Sequence, residues 1–329
     1  MKGINIALKE FYVAVRSKRF IGILVFYLLF VFLMNYALRD EMLKSAGQIA
    51  VVPVSTIFGG RGEIIQTSVS LSIFTNLETL TVFGALIGAT LGADSINREI
   101  EEGTIKVLLS HPIYRDQIIN GKFLGNALAL ALVVFIGYVF SIAYFLIVGV
   151  PIDDVSMVRA ILAAVFTLIY MLTFLSLGTM LSALLKKPET SMILAIVLAL
   201  FLTLIYPATA EVIAGKIVGE QPYCPPPEIR HQEVAPGRVV PVSIPSTCPA
   251  FEEWQNRLEI WKKRLKFLSP ASHYSYLTVA SFAGDEFVND YLPIGEALAL
   301  ALNNLATLLV QFLLPFSVAY AKFMTSDLR

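Results

Sequence analysis

The sequence has few charged residues for its length. Charged side chains make up 15% of its 329 residues, whereas soluble globular domains carry about 25%. Hydrophobic residues make up 56% of the chain, and the mean hydropathy is +0.71. So large an apolar excess excludes an ordinary soluble domain, and it predicts a protein whose surface lies largely in lipid.

The sequence also lacks net charge and the usual motifs of catalysis. It has 25 basic and 25 acidic residues, so the basic excess that favours nucleic acid as a partner is missing. It has no Gly-x4-Gly-Lys-Ser/Thr loop for ATP, no His-Glu-x-x-His and no Gly-x-Ser-x-Gly. The histidines, His111, His231 and His273, have no metal-ligand spacing. We therefore expect this chain to contain no catalytic residue, no metal and no cofactor.

Six apolar segments could cross a membrane. A spanning helix needs about 20 apolar residues, and backbone groups in lipid must be paired within a helix or a closed barrel. The second segment becomes long enough if it extends back to Ser72, and we expect the fifth to stop near Pro207. The segments are residues 20–38, 80–93, 123–150, 158–185, 191–210 and 297–321. The sequence therefore predicts an all-α integral membrane protein with six transmembrane helices.

Basic residues predict the orientation of these spans. They occur before the first span and after the second, fourth and sixth, and short basic segments stay in the cytoplasm. We therefore expect a multi-pass protein of the cell (plasma) membrane, surrounded by the lipid bilayer, with both termini cytoplasmic. The lysines and arginines are Lys2, Lys9, Arg16, Lys18, Arg19, Arg98, Lys106, Arg115, Lys122, Lys186, Lys187, Lys322 and Arg329.

The ends of the chain flank this membrane region. In residues 1–19, Ile4, Leu8, Phe11 and Val15 recur at helical spacing. This pattern predicts a cytoplasmic interfacial (elbow) helix, although a basic flank that only fixes the topology is the alternative. Residues 20–214 would then hold spans 1–5 with a cytoplasmic loop at 94–122, and residues 291–329 would hold span 6 and the cytoplasmic C-terminus.

Residues 215–290 form a small region predicted to be extracellular. Eight of the 16 prolines lie between Pro222 and Pro249, which favours extended, polyproline-like chain. Cys224 and Cys248 bracket this stretch, and outside the cell we expect them to form a disulfide, with free thiols as the alternative. Residues 251–268 predict an amphipathic helix. It would either cover the outer mouth as a lid or rest on lipid or on a second copy of the chain.

The loop at residues 94–122 contains an apolar segment between charged ones. Gly103 suits the end of a helix and Thr104 the start of the next, while Pro112 favours another helix start. Residues 105–109 are mostly apolar although they lie outside the membrane. Their apolar face must be covered either by a soluble partner protein or by the N-terminal helix of the same chain.

The same loop carries a motif of thirteen spaced residues. They are Glu99, Glu101, Glu102, Gly103, Thr104, Leu108, Leu109, Ser110, Pro112, Arg115, Ile118, Gly121 and Lys122. This pattern resembles the signature loop of ABC exporter permeases of the ABC-2 class. The resemblance implies a coupling helix that docks on a separate nucleotide-binding ATPase subunit, and it assigns that coupling role to all of these residues except Ser110, Ile118 and Gly121. We call residues 94–122 the predicted coupling loop.

The resemblance also implies partners and an energy source. A second permease chain would pair with this one, with a homodimer expected, and ATP and magnesium would bind to the ATPase subunit. The chain would then be the permease of an exporter and not catalytic by itself. The alternatives are an ATP-independent channel or carrier, and a membrane scaffold whose extracellular region binds a partner.

The second span contains small residues at a spacing of four. Gly84, Gly88 and Gly92 lie on one face of a helix, where small residues let two helix backbones approach closely. This strip is either close helix packing within the chain or part of the substrate path, and the resemblance implies that the second and fifth spans line a cavity in the dimer.

Overall fold

The computed structural model describes residues 2–37, 39, 50–55, 61–66, 68–105, 113–149, 154–224, 228–235, 238–244, 248–282 and 294–326. Its α-helices are α1 (Lys2–Arg16), α2 (Lys18–Ala37), α3 (Ser68–Ala93), α4 (Asn97–Glu101), α5 (Arg115–Val148), α6 (Asp154–Leu184), α7 (Pro188–Leu200), α8 (Tyr206–Val218), α9 (Pro249–Leu265), α10 (Pro270–Phe282) and α11 (Ile294–Thr325). The strands are β1 (Ala50–Ser55), β2 (Arg61–Gln66), β3 (Glu228–Ala235) and β4 (Arg238–Ile244).

Six helical segments of the described chain are long and apolar enough to cross a membrane. They are Phe20–Ala37, Leu80–Glu101, Arg115–Val148, Met157–Leu184, Pro188–Val218 and Leu298–Thr325. The six-span prediction is therefore confirmed, and each segment overlaps the one expected from the sequence. The length of an uninterrupted apolar run sets the length of the span. The run must also be helical, because lipid offers no hydrogen-bond partner for free backbone groups.

The fifth span differs from the expectation at its C-terminal end. The helical segment continues to Val218 instead of stopping near Pro207, and a π-helical turn, Phe201–Ile205, lies directly before Tyr206. Proline cannot donate the backbone hydrogen bond that a regular helix requires. A local change to the wider π pattern is a common way for a helix to continue through such an irregularity.

The all-α membrane fold is confirmed, and two small antiparallel hairpins occur outside the spans. Strand β1 pairs with β2, and β3 pairs with β4 with a bulge between Glu233 and Ala235. The second hairpin lies in the stretch for which we expected unpaired extended chain. Both strands of a two-stranded hairpin are edges, so Pro241 in β4 and Pro53 in β1 can be accommodated. Valine and isoleucine around these prolines favour strands.

The described chain divides into two compact units. One contains Met1–Ile205 and Ser269–Arg329, and the other contains Tyr206–Leu268. Helix α10, which lies within residues 215–290, packs with the helices of the first unit. There Ala271, Tyr274 and Leu277 of α10 are buried in the main apolar core.

Several buried polar side chains of the first unit are hydrogen-bonded to one another. The hydroxyl groups of Tyr138 and Thr167 are 3.1 Å apart, and those of Thr167 and Tyr274 are 2.7 Å apart. The rings of Tyr170 and Tyr274 stack at 4.5 Å. On the same helix α10, Nδ1 of His273 is 2.9 Å from Oδ1 of Asn304 on α11. Buried polar groups require such partners, so α10 is a specifically fitted part of this unit.

The second unit is held by one disulfide and by packing between α8 and α9. Cys224 and Cys248 are bonded, with Cα atoms 6.0 Å apart, as expected from their common loop. The apolar face of the predicted amphipathic helix is half-buried in α9, and its residues are Trp254, Leu258, Trp261 and Leu265. Leu268, which lies beyond the end of α9, is exposed. Lys266 Nζ lies 2.6 Å from Glu211 Oε1 on α8, and Trp254 Nε1 donates to the Gly219 carbonyl at 3.0 Å.

Candidate coupling site

The structure describes most of the predicted coupling residues. Glu99, Glu101, Glu102, Gly103, Thr104, Arg115 and Lys122 are described, whereas Leu108, Leu109 and Pro112 lie outside the described residues. Helix α4 ends at Glu101, and Gly103 follows with a φ of 72°, a left-handed conformation that favours glycine at a helix end. Thr104 was expected at the start of the next helix. Its hydroxyl group also donates a hydrogen bond back to the Glu99 carbonyl oxygen, at 3.3 Å.

Glu99 and Lys122 belong to a network of two lysines and two glutamates. Lys122 Nζ lies 2.8 Å from Glu99 Oε1 and 3.2 Å from Glu10 Oε1. Lys9 Nζ lies 3.1 Å from the same Glu99 oxygen and 3.0 Å from the same Glu10 oxygen. We call these four residues the Lys–Glu network. It joins α1, α4 and α5, so two residues expected to contact a partner protein contact the N-terminal helix of their own chain.

The network is buried on one side only. The Lys122 side chain is 3% exposed, whereas that of Lys9 is 53% exposed. Burial by itself would lower the pKa of Lys9, but the carboxylates of Glu10 and Glu99 outweigh it and raise that pKa above its usual value. An enclosed lysine needs such carboxylates because an unpaired charge away from water is strongly unfavourable.

Hydrogen bonds fix the break between α3 and α4. The Ser182 hydroxyl oxygen on α6 accepts from the backbone N–H groups of Ile96 and Asn97 at 3.0 and 3.1 Å. The same hydroxyl donates to Asn97 Oδ1 at 3.0 Å, and Asn97 is buried. These N–H groups lie at the start of α4, where a helix leaves them without an internal partner. The beginning of the predicted coupling loop is thus attached to α6.

Arg115 attaches the other end of the loop to α11. Its Nη1 donates to the carbonyl oxygens of Met324 at 3.1 Å and Ser326 at 2.8 Å. The last carbonyls of a helix have no partner within it and carry the negative end of the helix dipole, so a guanidinium there is favourable. Arg115 therefore joins the start of α5 to the C-terminal end of the last span.

A small apolar cluster lies among these polar contacts. Ile105 is 1% exposed and packs in a cluster separate from the main core. For Ile105, the own-chain alternative therefore applies, because its side chain is covered inside the protomer. The buried members are Ile6, Ile96, Ile105, Ile118, Ile119, Ala319 and Phe323.

Two glycines of α5 bring the N-terminal helix into backbone contact. A Cβ on Gly121 would lie 2.9 Å from the Gly3 carbonyl oxygen, and one on Gly125 would lie 2.5 Å from that of Ala7. Both distances are too short for a side chain. In the sequence, Gly121 stands out only as one residue of the loop motif. Its spacing of four from Gly125 is the signal for close helix packing that could have predicted this contact.

The glycine strip of α3 faces α6. A Cβ on Gly88 would lie 2.5 Å from the Met171 carbonyl oxygen, and one on Gly92 would collide with the Leu175 carbonyl oxygen. A Cβ on Gly84 would meet only the Met171 side chain, at 3.1 Å. Within the protomer, Gly88 and Gly92 therefore pack closely against α6.

The exposed part of the site lies beside these attachments. Tyr114 is 74% exposed and Ile100 is 42% exposed, and Glu101 and Glu102, which follow Ile100, are exposed as well. Within the described part of the chain, no group of three or more His, Cys, Asp or Glu side chains could hold a metal ion. The loop therefore exposes aromatic, aliphatic and acidic side chains and is attached to α1, α6 and α11.

Comparison with known proteins identifies the family. The family of ABC-2 family transporter proteins matches residues 4–328. This chain belongs to that family. The resemblance inferred from the loop motif is therefore confirmed, and with six spans the protein is a multi-pass ABC-2 type permease.

Two curated relatives are similar over a short segment. One is the probable ABC transporter permease protein NosY of Stutzerimonas stutzeri, 40% identical over 77 residues, which cover 23% of this chain and 28% of the relative. The other is the protein of the same name from Pseudomonas aeruginosa, 39% identical over 77 residues with the same coverage. The matched segment spans just over a quarter of the length of these relatives.

Proposed function

We propose that this ABC-2 type permease is the membrane subunit of an ATP-driven exporter. A separate ATPase subunit docks on the predicted coupling loop and carries the ATP and magnesium, and two copies of the permease form the transport path. Family membership, the loop motif and the name of the similar relatives as ABC transporter permeases support this proposal. The basic segments support cytoplasmic termini and place the loop on the side where ATP is available.

The observation that carries the proposal is the attachment of the loop to several helices at once. Lys122 and Glu99 join it to α1, Ser182 joins it to α6, and Arg115 joins it to α11. A force applied to the loop would therefore move these three helices rather than a flexible connection. This is what a transporter needs if nucleotide-driven motion outside the membrane is to rearrange the spans, because packed elements transmit displacement with little deformation.

The exposed groups of the loop suit a protein partner. Large aromatic side chains at the centre of an interface contribute much of its binding energy, and Tyr114 is such a residue outside the spans. Glu101 and Glu102 of the same loop are exposed, so basic groups on the ATPase would complement them. Leu108 and Leu109 of the motif add the apolar contacts expected of a coupling helix.

Affinity purification of the permease from its own host tests the docking role. We expect a P-loop ATPase to co-purify with the wild type, and we expect Leu108→Asp and Tyr114→Ala to lose most of it at unchanged permease yield. Leu184→Asp is the matched control, because Leu184 is an exposed leucine at the end of α6, outside the predicted coupling loop. Retention of the ATPase by both loop variants would contradict the proposal. The mass of the purified complex would show whether it contains two permease chains.

A further inference from the structure

The first unit contains a large cavity beside the Lys–Glu network. Its volume is about 610 Å³, and α1, α2, α3, α5, α7 and the beginning of the predicted coupling loop line it. Small-molecule sites in proteins commonly enclose roughly 300–1,000 Å³. The coupling proposal assigns no ligand to this space, although Glu99, Glu102 and Lys122 of the predicted coupling loop contribute to its lining.

The cavity crosses the boundary between polar and apolar surroundings. Lys18 and Asp94 line it where α2 begins and just beyond the end of α3, while Ile23, Ile87 and Leu91 line it within the apolar spans. Ile87 lies seven residues before Asp94, which corresponds to about 10 Å along a helix. The cavity thus extends from the expected level of lipid headgroups into the hydrocarbon layer.

The charges at the polar end balance. The lining contains four basic and four acidic side chains: Lys9, Lys18, Arg98, Lys122, Glu10, Asp94, Glu99 and Glu102. Lys9 and Lys122 form ion pairs with Glu10 and Glu99, and Arg98 forms ion pairs with Asp94 and Glu102. Among the described residues, Lys18 makes no ion pair, and its side chain is exposed. A phosphate can therefore bind at Lys18, while the surrounding carboxylates repel further negative charge and accept a cationic group.

We propose that this cavity binds a zwitterionic phospholipid of the surrounding leaflet. The phosphate contacts Lys18, the ammonium group lies toward Asp94 and Glu102, and one acyl chain follows Ile23, Ile87 and Leu91. A phospholipid fits better than a second copy of the chain because one lipid molecule carries both a charged headgroup and an apolar acyl chain. Phospholipid is also present at high concentration in the membrane. Binding does not require ATP or the ATPase subunit, so the inference is independent of the coupling proposal.

Gly22 allows a direct test because it lines the cavity without close neighbours. A Cβ at Gly22 would meet no other part of the protein within 4 Å, so Gly22→Trp can fill the cavity without displacing backbone. Gly295→Trp is the matched control, since a Cβ at Gly295 also has no neighbour within 4 Å but that residue does not line the cavity. Lys18→Gln removes the unpaired cation at an exposed position.

Native mass spectrometry of the purified protein measures the bound lipid. We expect one phosphatidylethanolamine per wild-type chain and per Gly295→Trp chain, and none on Gly22→Trp. Lys18→Gln should bind about fivefold more weakly, the effect of one surface lysine on lipid binding. Added phosphatidylglycerol and the soluble headgroup glycerophosphoethanolamine should not displace the lipid.

Three results would overturn the proposal. The first is equal lipid retention by Gly22→Trp and the wild type. The second is binding of phosphatidylglycerol or the soluble headgroup at least as tight as that of phosphatidylethanolamine. The third is a change in oligomeric mass of Gly22→Trp with its lipid still bound, which would assign the cavity to a second copy of the chain.

Discussion

Replacement of Lys122 by methionine separates the buried from the exposed side of the Lys–Glu network. Methionine keeps the length and apolar stem of the side chain but removes the ammonium group that contacts Glu10 and Glu99. Both carboxylates, which are 11% and 13% exposed, would then share Lys9 alone. The expected consequence is that α1 moves away from α5, because this lets Glu10 reach water.

The magnitude follows from the difference in burial. Loss of one partner from a buried ion pair costs about 3–5 kcal/mol, and Lys122 is 3% exposed. Loss of an exposed partner costs about 0–1 kcal/mol, and Lys9 is 53% exposed although it contacts the same two oxygens. Lys9→Met is therefore the matched control, and the two variants should differ by at least ~2 kcal/mol, about 30-fold in an opening equilibrium.

Hydrogen–deuterium exchange of the α1 amides measures this opening locally. We expect α1 to exchange much faster in Lys122→Met than in Lys9→Met or the wild type. Adding Glu10→Gln to Lys122→Met should slow the exchange again, because one uncompensated carboxylate is removed, and the double-mutant cycle gives the coupling energy. Equal exchange in the two lysine variants, or faster exchange in the double variant, would refute the reasoning.

Three further predictions concern other contacts. Gly92→Val should destabilise the protein by about 1–3 kcal/mol through collision with α6, whereas Gly84→Ala should change little because only the flexible Met171 side chain is near; thermal unfolding in detergent compares the two. Cys248→Ser should destabilise the second unit by about 3.5 kcal/mol from loop entropy, and reductant should then have no additional effect on its unfolding. Arg115→Ala should lower the free energy of unfolding by about 1 kcal/mol and should speed the removal of the C-terminal end of α11 by carboxypeptidase. If the variant resists carboxypeptidase as well as the wild type does, the two hydrogen bonds of Arg115 do not hold that end.

The membrane fold could be predicted from the sequence because one physical requirement dominates it. A run of apolar residues long enough to cross lipid must be helical, so the spans and the N-terminal helix follow from composition and spacing. The hairpins could not be found in this way, since prolines obscured the strand preference of the neighbouring valines. The end of the fifth span was missed because Pro207 was read as a stop, although a π-helical turn precedes it.

The site was predicted as a segment but not as a set of contacts. Glu99 and Lys122 were recognised from the motif, yet nothing in their spacing reveals that both face Lys9 and Glu10 of the N-terminal helix. That pairing depends on how the loop folds back, which is a tertiary property. By contrast, the four-residue spacing of Gly121 and Gly125 indicates close helix packing, so the sequence could have predicted the contact of α1 with α5.

The close contact between α1 and α5 makes the N-terminus a useful attachment point for measurement. Because Gly121 and Gly125 let the two backbones touch, α1 stays close to the N-terminal end of α5. A fluorescent label on Tyr12, which is 60% exposed, would therefore follow the position of that end without any change to the spans. If two copies of the chain form the transport path as we propose, distances between two such labels would record how far the third spans separate.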